Sequence, residues 1–180
     1  MSPIILPFQN NKFKTIYIDP PWPEYGGGKI VRGAQEHYPL MKVEEIKDLK
    51  SEINRVADEN CHLYLWSTNS FLPQAFDIVD YWGFKYITTI TWMKNRIGIG
   101  QYYRGLTEHC IFSRRGSLPY RIKEDRKRAQ GATGFIESKT LHSVKPHKMR
   151  EMIETVSYPP RLELFAREKV SGWESWGNEI

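Results

Sequence analysis

An aspartate, two prolines and a tryptophan, Asp19-Pro20-Pro21-Trp22, close an apolar run in which Ile16 and Ile18 alternate with Thr15 and Tyr17. That alternation of β-branched and aromatic residues suits a buried strand. Proline donates no backbone hydrogen bond and cannot continue a strand in mid-sheet. Asp19 is therefore read at the carboxyl end of a strand, where open α/β sheets collect their ligands. A carboxylate and a proline carbonyl are both acceptors, so together they could hold the two hydrogens of one exocyclic amine. The Trp22 indole could stack on the planar ring bearing that amine, a contact of ~1–3 kcal/mol per base in single-strand binders. The competing reading is a strand that ends in a proline turn, with a capping aspartate and a core tryptophan.

The elements that must position this stretch follow along the chain. Val43, Ile46, Leu49, Ile53 and Val56 recur at spacings of three and four, which predicts an amphipathic helix over residues 43–59. Residues 61–67 read as a second buried strand, a helix capped by Asn69 runs to about Trp82, and Gly83 ends it. Phe84 to Met93 and Glu108 to Phe112 read as strands. Pro146 suits the first turn of a helix whose stripe is Met149, Met152, Ile153 and Val156. Arg161 to Arg167 is the last clear strand. Strand, helix, strand, helix, strand predicts a doubly wound α/β sheet with right-handed crossovers.

Three loops carry charge. Residues 23–41 contain Gly26-Gly27-Gly28 without a strand–helix GxGxxG context, so they read as a lid rather than a phosphate cradle, with Lys29 and Arg32 able to meet phosphates. Residues 94–107 mix glycine, tyrosine and basic residues including Arg104, a composition suited to nucleic acid or to a solvated loop. Residues 114–134 hold Arg114, Arg115, Arg121, Lys123, Arg126, Lys127 and Arg128, and are read as the main phosphate-binding arm.

The composition sets bounds. With 180 residues, 40% of them hydrophobic, the chain reads as one domain over 1–180. A net charge of +5 suits a polyanionic partner. Cys61 and Cys110 lie in apolar runs and read as buried thiols in a reducing compartment. No zinc-like spacing of Cys and His predicts a metal, and no apolar run predicts a membrane span, so a cytoplasmic protein is expected.

The motif Asp19-Pro20-Pro21-Trp22 resembles the catalytic motif of amino-group methyltransferases. The whole chain resembles the MT-A70 family through that motif together with Leu63-Tyr64-Leu65-Trp66, Glu108-His109-Cys110, His142-Ser143-Val144-Lys145-Pro146, Arg161 to Arg167 and Trp176-Gly177-Asn178. These stand in the family's order across nearly the whole chain. The resemblance implies a Rossmann-like class I methyltransferase fold with a mixed, mostly parallel sheet and helices on both faces. It implies a permuted order, catalytic strand first and cofactor strand last. It also implies S-adenosylmethionine as cofactor and N6 of adenine as target.

Carried over by resemblance, Asp19, Pro20, Pro21 and Trp22 are catalytic, with Asp19 also beside the cofactor. Ser143, Lys145, Glu163, Phe165, Arg167 and Asn178 line the cofactor pocket, and Lys145 takes the carboxylate of its methionine part. On the residues alone, Lys145 reads as a surface lysine at a helix cap. Pro7 and Phe8 stand in for an upstream strand that contacts the cofactor's adenine in longer relatives. Tyr38 and Glu108 match positions near the target base. DNA is the expected polymer, RNA the second choice, and a homodimer or a partner methyltransferase subunit is compatible. Two rival readings are a catalytically silent nucleic-acid-binding subunit and a methyltransferase of protein glutamine. Silent subunits lose the acid or the aromatic of the motif, and glutamine enzymes carry Asn-Pro-Pro-Tyr, so the retained Asp19 and Trp22 argue against both.

Overall fold

In a computed structural model of the chain, residues 4–9, 11–23, 39–98, 102–138 and 145–180 are described. The elements are β1 (Phe13–Ile18), α1 (Val43–Lys47), α2 (Lys50–Val56), β2 (Ala57–Ser67), α3 (Leu72–Tyr81), β3 (Lys85–Lys94), β4 (Thr107–Arg115), β5 (Gly134–Glu137), α4 (His147–Val156), β6 (Arg161–Leu164) and β7 (Glu174–Trp176). Seven strands form one sheet in the order β5-β3-β4-β2-β1-β6-β7. β1 pairs in parallel with β2 and β6, β6 with β7 and β3 with β5, whereas β4 runs antiparallel between β2 and β3. The carboxyl ends of β1, β2, β3 and β6 therefore share one edge of the sheet with the start of β4. This is an α/β Rossmann-like architecture.

The period-two alternation decides which face each side chain serves. Ile16, Ile18, Leu63, Leu65, Leu162 and Leu164 form one core with Ile46, Ile53, Ala75 and Ile78 of α1, α2 and α3. Tyr17, Tyr64, Trp66, Trp92 and Cys110 form a second with Met149 and Ile153 of α4. The helices thus cover both faces. Two residues beyond Tyr17 on the same face, Asp19 points to the α4 side.

Several predicted boundaries move. The helix expected over 43–59 is two short helices, because the chain turns at Asp48-Leu49. The Trp82 indole N–H donates to the Lys47 carbonyl at that break (3.0 Å). β2 begins at Ala57. Asn69 caps no α-helix: it opens a 3-10 turn, and its side chain bonds Thr107 and His109 across the sheet edge. Gly83 ends α3 as predicted, at φ 84°, a left-handed value that glycine adopts without strain. The last long strand stops at Leu164, because Phe165 turns out at φ 59°. β7 follows, and Gly177 lets it cross Ala166, whose carbonyl oxygen would lie 2.0 Å from an added Cβ.

Cys61 and Cys110 are both buried free thiols. No helix among the described residues is long and apolar enough to cross a membrane, and no three metal-ligating side chains gather among them.

Candidate active site

Asp19 follows β1, and its N–H reaches the Leu164 carbonyl of β6 (3.4 Å). The next residues turn sharply: the Trp22 N–H donates to the Pro20 carbonyl at 2.8 Å, and the Pro21 carbonyl accepts from Met41 at 2.9 Å. Among the described residues this is the one hydrogen bond the Pro20 carbonyl accepts, which leaves a second lone pair. The turn drops Trp22 to the other face of the sheet from Asp19. There its indole is 7% exposed, stacks on Phe71 at 5.3 Å and donates to the Trp66 carbonyl at 2.8 Å. The expectation of an indole offered to a base is thus corrected. Trp22 is a buried clamp joining the turn to the end of β2.

Four charges alternate at the shared edge. Lys145, just before α4, puts Nζ 2.7 Å from Asp19 Oδ2 and 3.3 Å from Glu108 Oε2. Lys94, the last residue of β3, binds the other oxygen of Glu108 at the start of β4. Each ammonium rests over an indole, Lys145 over Trp66 at 5.4 Å and Lys94 over Trp92 at 5.1 Å. The indoles make the floor apolar, which strengthens every ionic contact above it. Burial, against the pull of Lys145, raises the Asp19 carboxyl from its ordinary value. Glu108 moves the other way: burial would raise it, but Lys145 and then Lys94 outweigh burial and hold it low. Burial opposes the Lys145 charge, but Asp19 and then Glu108 raise its pKa further still.

The expected cofactor residues separate into groups. Lys145 stands beside Asp19, and Arg167 is close enough to lower the Asp19 carboxyl. Phe165 leaves the end of β6 and meets Trp176 edge-on at 5.4 Å, while Asn178 is exposed past β7. Both oxygens of Glu163 are engaged by Arg150, at 2.8 and 2.9 Å, and Arg150 also binds Glu168 at 2.8 Å. Glu163 therefore ties β6 to α4, and burial raises its carboxyl against the opposing pull of Arg150. Pro7 and Phe8 are corrected outright. Phe8 packs on Phe13 at the start of β1 (5.4 Å) and its carbonyl accepts from Arg55, so both residues lie roughly a strand length, ~20 Å, from Asp19. Ser143, Tyr38, Lys29 and Arg32 lie outside the described residues.

The basic segments also separate. The antiparallel course of β4 takes Arg114 and Arg115 to the edge opposite Glu108, roughly 20 Å away. There Arg115 binds Asn54 and the Asp58 carbonyl, and Arg114 binds the Gly116 carbonyl. Both serve as strand-end anchors at that edge. Arg126, Lys127 and Arg128 occupy a small turn closed by Lys123 and Lys127 (2.9 Å), and the adjoining Arg121 binds the Glu154 carbonyl at the far end of α4. They do not adjoin Asp19. The 94–107 segment does: it rises from the site edge on Lys94 and Leu106 (2.9 Å), with Gly98 and Gly105 bonded above (2.6 Å). Arg104 braces it through Gly98, and Tyr102 and Tyr103 are 94% and 93% exposed.

Two residues of this site were missed in the sequence. Lys94 lies two residues past Trp92 on one strand face, a spacing that could have revealed it. Arg150 stands beside Met149 in the apolar stripe, a position no unpaired charge tolerates.

The MT-A70 family model matches residues 13–179. The chain belongs to the MT-A70 family. Among curated relatives, Type II methyltransferase M.MunI of Mycoplasma sp is 27% identical over 94% of this chain and 78% of its own length. N6-methyladenosine RNA methyltransferase MTA1 of Cryphonectria parasitica is 28% identical over 93% of this chain, which spans 52% of it. The N6-adenosine-methyltransferase non-catalytic subunit MTB of Arabidopsis thaliana is 28% identical over 59% of this chain and 15% of its own. MT-A70 membership accounts for the order of the motifs along the chain. It does not by itself separate an active member from a silent one, so the ionised edge of the sheet carries that argument.

Proposed function

We propose that this chain transfers a methyl group from S-adenosylmethionine to N6 of adenine in nucleic acid. The observation that carries this is the Asp19 carboxylate at the end of β1, with one oxygen on Lys145 and the Pro20 carbonyl beside it. DNA is favoured because the Type II methyltransferase is covered to 78% of its length, against 52% for the RNA methyltransferase MTA1.

The site fits the proposed cofactor by its donor set. Asp19 and Glu108 suit an ammonium, and Lys145 suits a carboxylate, which is the pairing of an amino-acid end group. Asn178 and Phe165 flank the same edge. Arg150 holds both oxygens of Glu163 and so fixes how the carboxylate faces the pocket, each oxygen keeping a further lone pair for a ribose hydroxyl. When bound, S-adenosylmethionine supplies a methyl group activated on a sulfonium. The permuted chain order remains the reading we favour, with the cofactor strand β6 beside β1.

The residues present then act on the amine. The Asp19 oxygen not held by Lys145 accepts one N6 hydrogen. The Pro20 carbonyl accepts the other on its remaining lone pair. Two acceptors fix the plane of the amine and aim its lone pair, a positioning effect. The base reaches this edge out of its stack. Once N6 carries the methyl group its proton becomes acidic, and Asp19, raised by burial, is suited to take it. Tyr102 and Tyr103 stand free at the same edge to meet neighbouring bases.

A silent subunit is the second reading, because MTB is non-catalytic by name. The two are separated by incubating the protein with labelled S-adenosylmethionine and DNA or RNA oligonucleotides. N6-methyladenine identified by mass supports the enzyme. Bound cofactor with no transfer to any oligonucleotide supports the silent subunit.

A further inference from the structure

We propose that Lys94 is a positioning residue for methyl transfer, holding Glu108 so that Glu108 and Asp19 share the Lys145 ammonium from two sides. The inference rests on the reaction proposed above and assigns a residue outside its motifs. Lys94 is not a surface cation that happens to find a partner. Its side chain is 16% exposed and that of Glu108 is 18% exposed. β3 and β4 fix their relation, since Trp92 is the register partner of Glu108 and Lys94 follows Trp92 by two residues on the same face. The stem of Lys94 has one direction to go, across the Trp92 ring and onto Glu108.

The consequence is a balance of charge. Asp19 and Glu108 bring two negative charges, and Lys145 and Lys94 two positive ones. Among the described residues, the other ionisable groups facing the cluster are Arg167 and Glu163 near Asp19, the Tyr17 and Cys110 side chains on the sheet face, and His109 beside Glu108. Burial pushes the Tyr17 phenol and the Cys110 thiol upward, so both stay neutral and neither replaces a lost cation. Without Lys94, Lys145 is the one cation left against Glu108 among the described residues. Lys145 is then drawn from Asp19 toward the ionised Glu108, and the Asp19 carboxyl, less opposed, rises, although Lys94 touches neither Asp19 nor the amine.

The test compares Lys94→Met and Lys94→Arg with the unaltered protein, using S-adenosylmethionine and an adenine-containing oligonucleotide. K94M is expected to lower kcat by about 10²-fold, the scale for a slightly misplaced reacting group, and to move the acid limb of kcat to higher pH. K94R, which keeps the cation, restores the limb. A second reading needs no turnover: the Glu108 side-chain carboxyl, followed by carbon NMR, titrates at higher pH in K94M than in the unaltered protein. Should K94M fail to fold, Lys94→Gln takes its place in both readings. An active protein whose pH profile and Glu108 titration are unmoved by loss of the Lys94 charge overturns the inference. An inactive unaltered protein with a shifted Glu108 titration overturns the proposed reaction instead and leaves the charge relation standing.

Discussion

The Lys145 ammonium lies 2.7 Å from one carboxylate oxygen of Asp19, across 126 residues of sequence. This contact decides what Asp19 is able to do. One oxygen is fixed on Lys145, so the carboxylate is oriented before any amine arrives. Burial raises the Asp19 carboxyl and Lys145 opposes it. The ionised form is the stronger acceptor for an N6 hydrogen, and the only one able to take the proton afterwards. Turnover is therefore expected to fall as pH drops through an Asp19 pKa above the ordinary carboxylate value. Lys145→Met removes the opposing cation, so the acid limb of the kcat–pH profile moves to still higher pH. A limb unchanged in K145M would remove Lys145 from this role.

Trp22 gives a prediction about stability. Its indole is buried against Phe71 and bonded to the Trp66 carbonyl. Trp22→Ala is expected to cost ~3–5 kcal/mol, the range for deleting a large core aromatic. Chemical denaturation of the two proteins measures this. A W22A protein of unaltered stability with weakened oligonucleotide binding would restore the stacking role instead.

Tyr102 and Tyr103 give the complementary prediction. Replacing both with Ala is expected to raise KM for oligonucleotide, since stacking contributes ~1–3 kcal/mol per base, and to leave cofactor affinity unchanged. Stability should not move, because neither ring is packed. Isothermal titration with cofactor and with oligonucleotide separates the two affinities. An unaffected oligonucleotide affinity removes the tyrosines from the nucleic-acid surface.

His62 links stability to pH. Burial, then Arg114, lowers its pKa from 6.5 to about 4, and its Nδ1 sits 2.8 Å from Ser157. The unfolded chain binds this proton first, so the His62 contribution is full above pH 6.5 and is lost as pH falls toward 4. The loss is on the order of 3 kcal/mol across that window. His62→Gln should flatten the pH dependence of denaturant midpoints between pH 7 and 5. A slope as steep in H62Q assigns the acid sensitivity to other groups.

What was legible in the sequence was local and periodic. The alternation of Ile16 and Ile18 with Tyr17 put β1 in the sheet and Asp19 at its end. The spacing of Met149 and Ile153 placed the apolar side of α4. What was not legible depends on direction and on partners far along the chain. Arg114 and Arg115 read as part of a basic arm, but a strand running the other way takes them to the edge opposite Glu108. Trp22 read as a platform, because nothing local shows that the turn at Pro21 folds its indole toward Phe71. Glu163 read as a pocket residue, and its engagement by Arg150 depends on how α4 lies against β6. Lys94 went unassigned because its partner is on the next strand.

The central claim is that Asp19 holds the amine that receives the methyl group. The most direct test is methyl transfer from labelled S-adenosylmethionine to adenine-containing DNA and RNA, with unaltered protein and with Asp19→Ala, alongside cofactor binding by both. The account predicts N6-methyladenine from the unaltered protein, none from D19A, and cofactor bound by each. N6-methyladenine formed by D19A at an undiminished rate would contradict it.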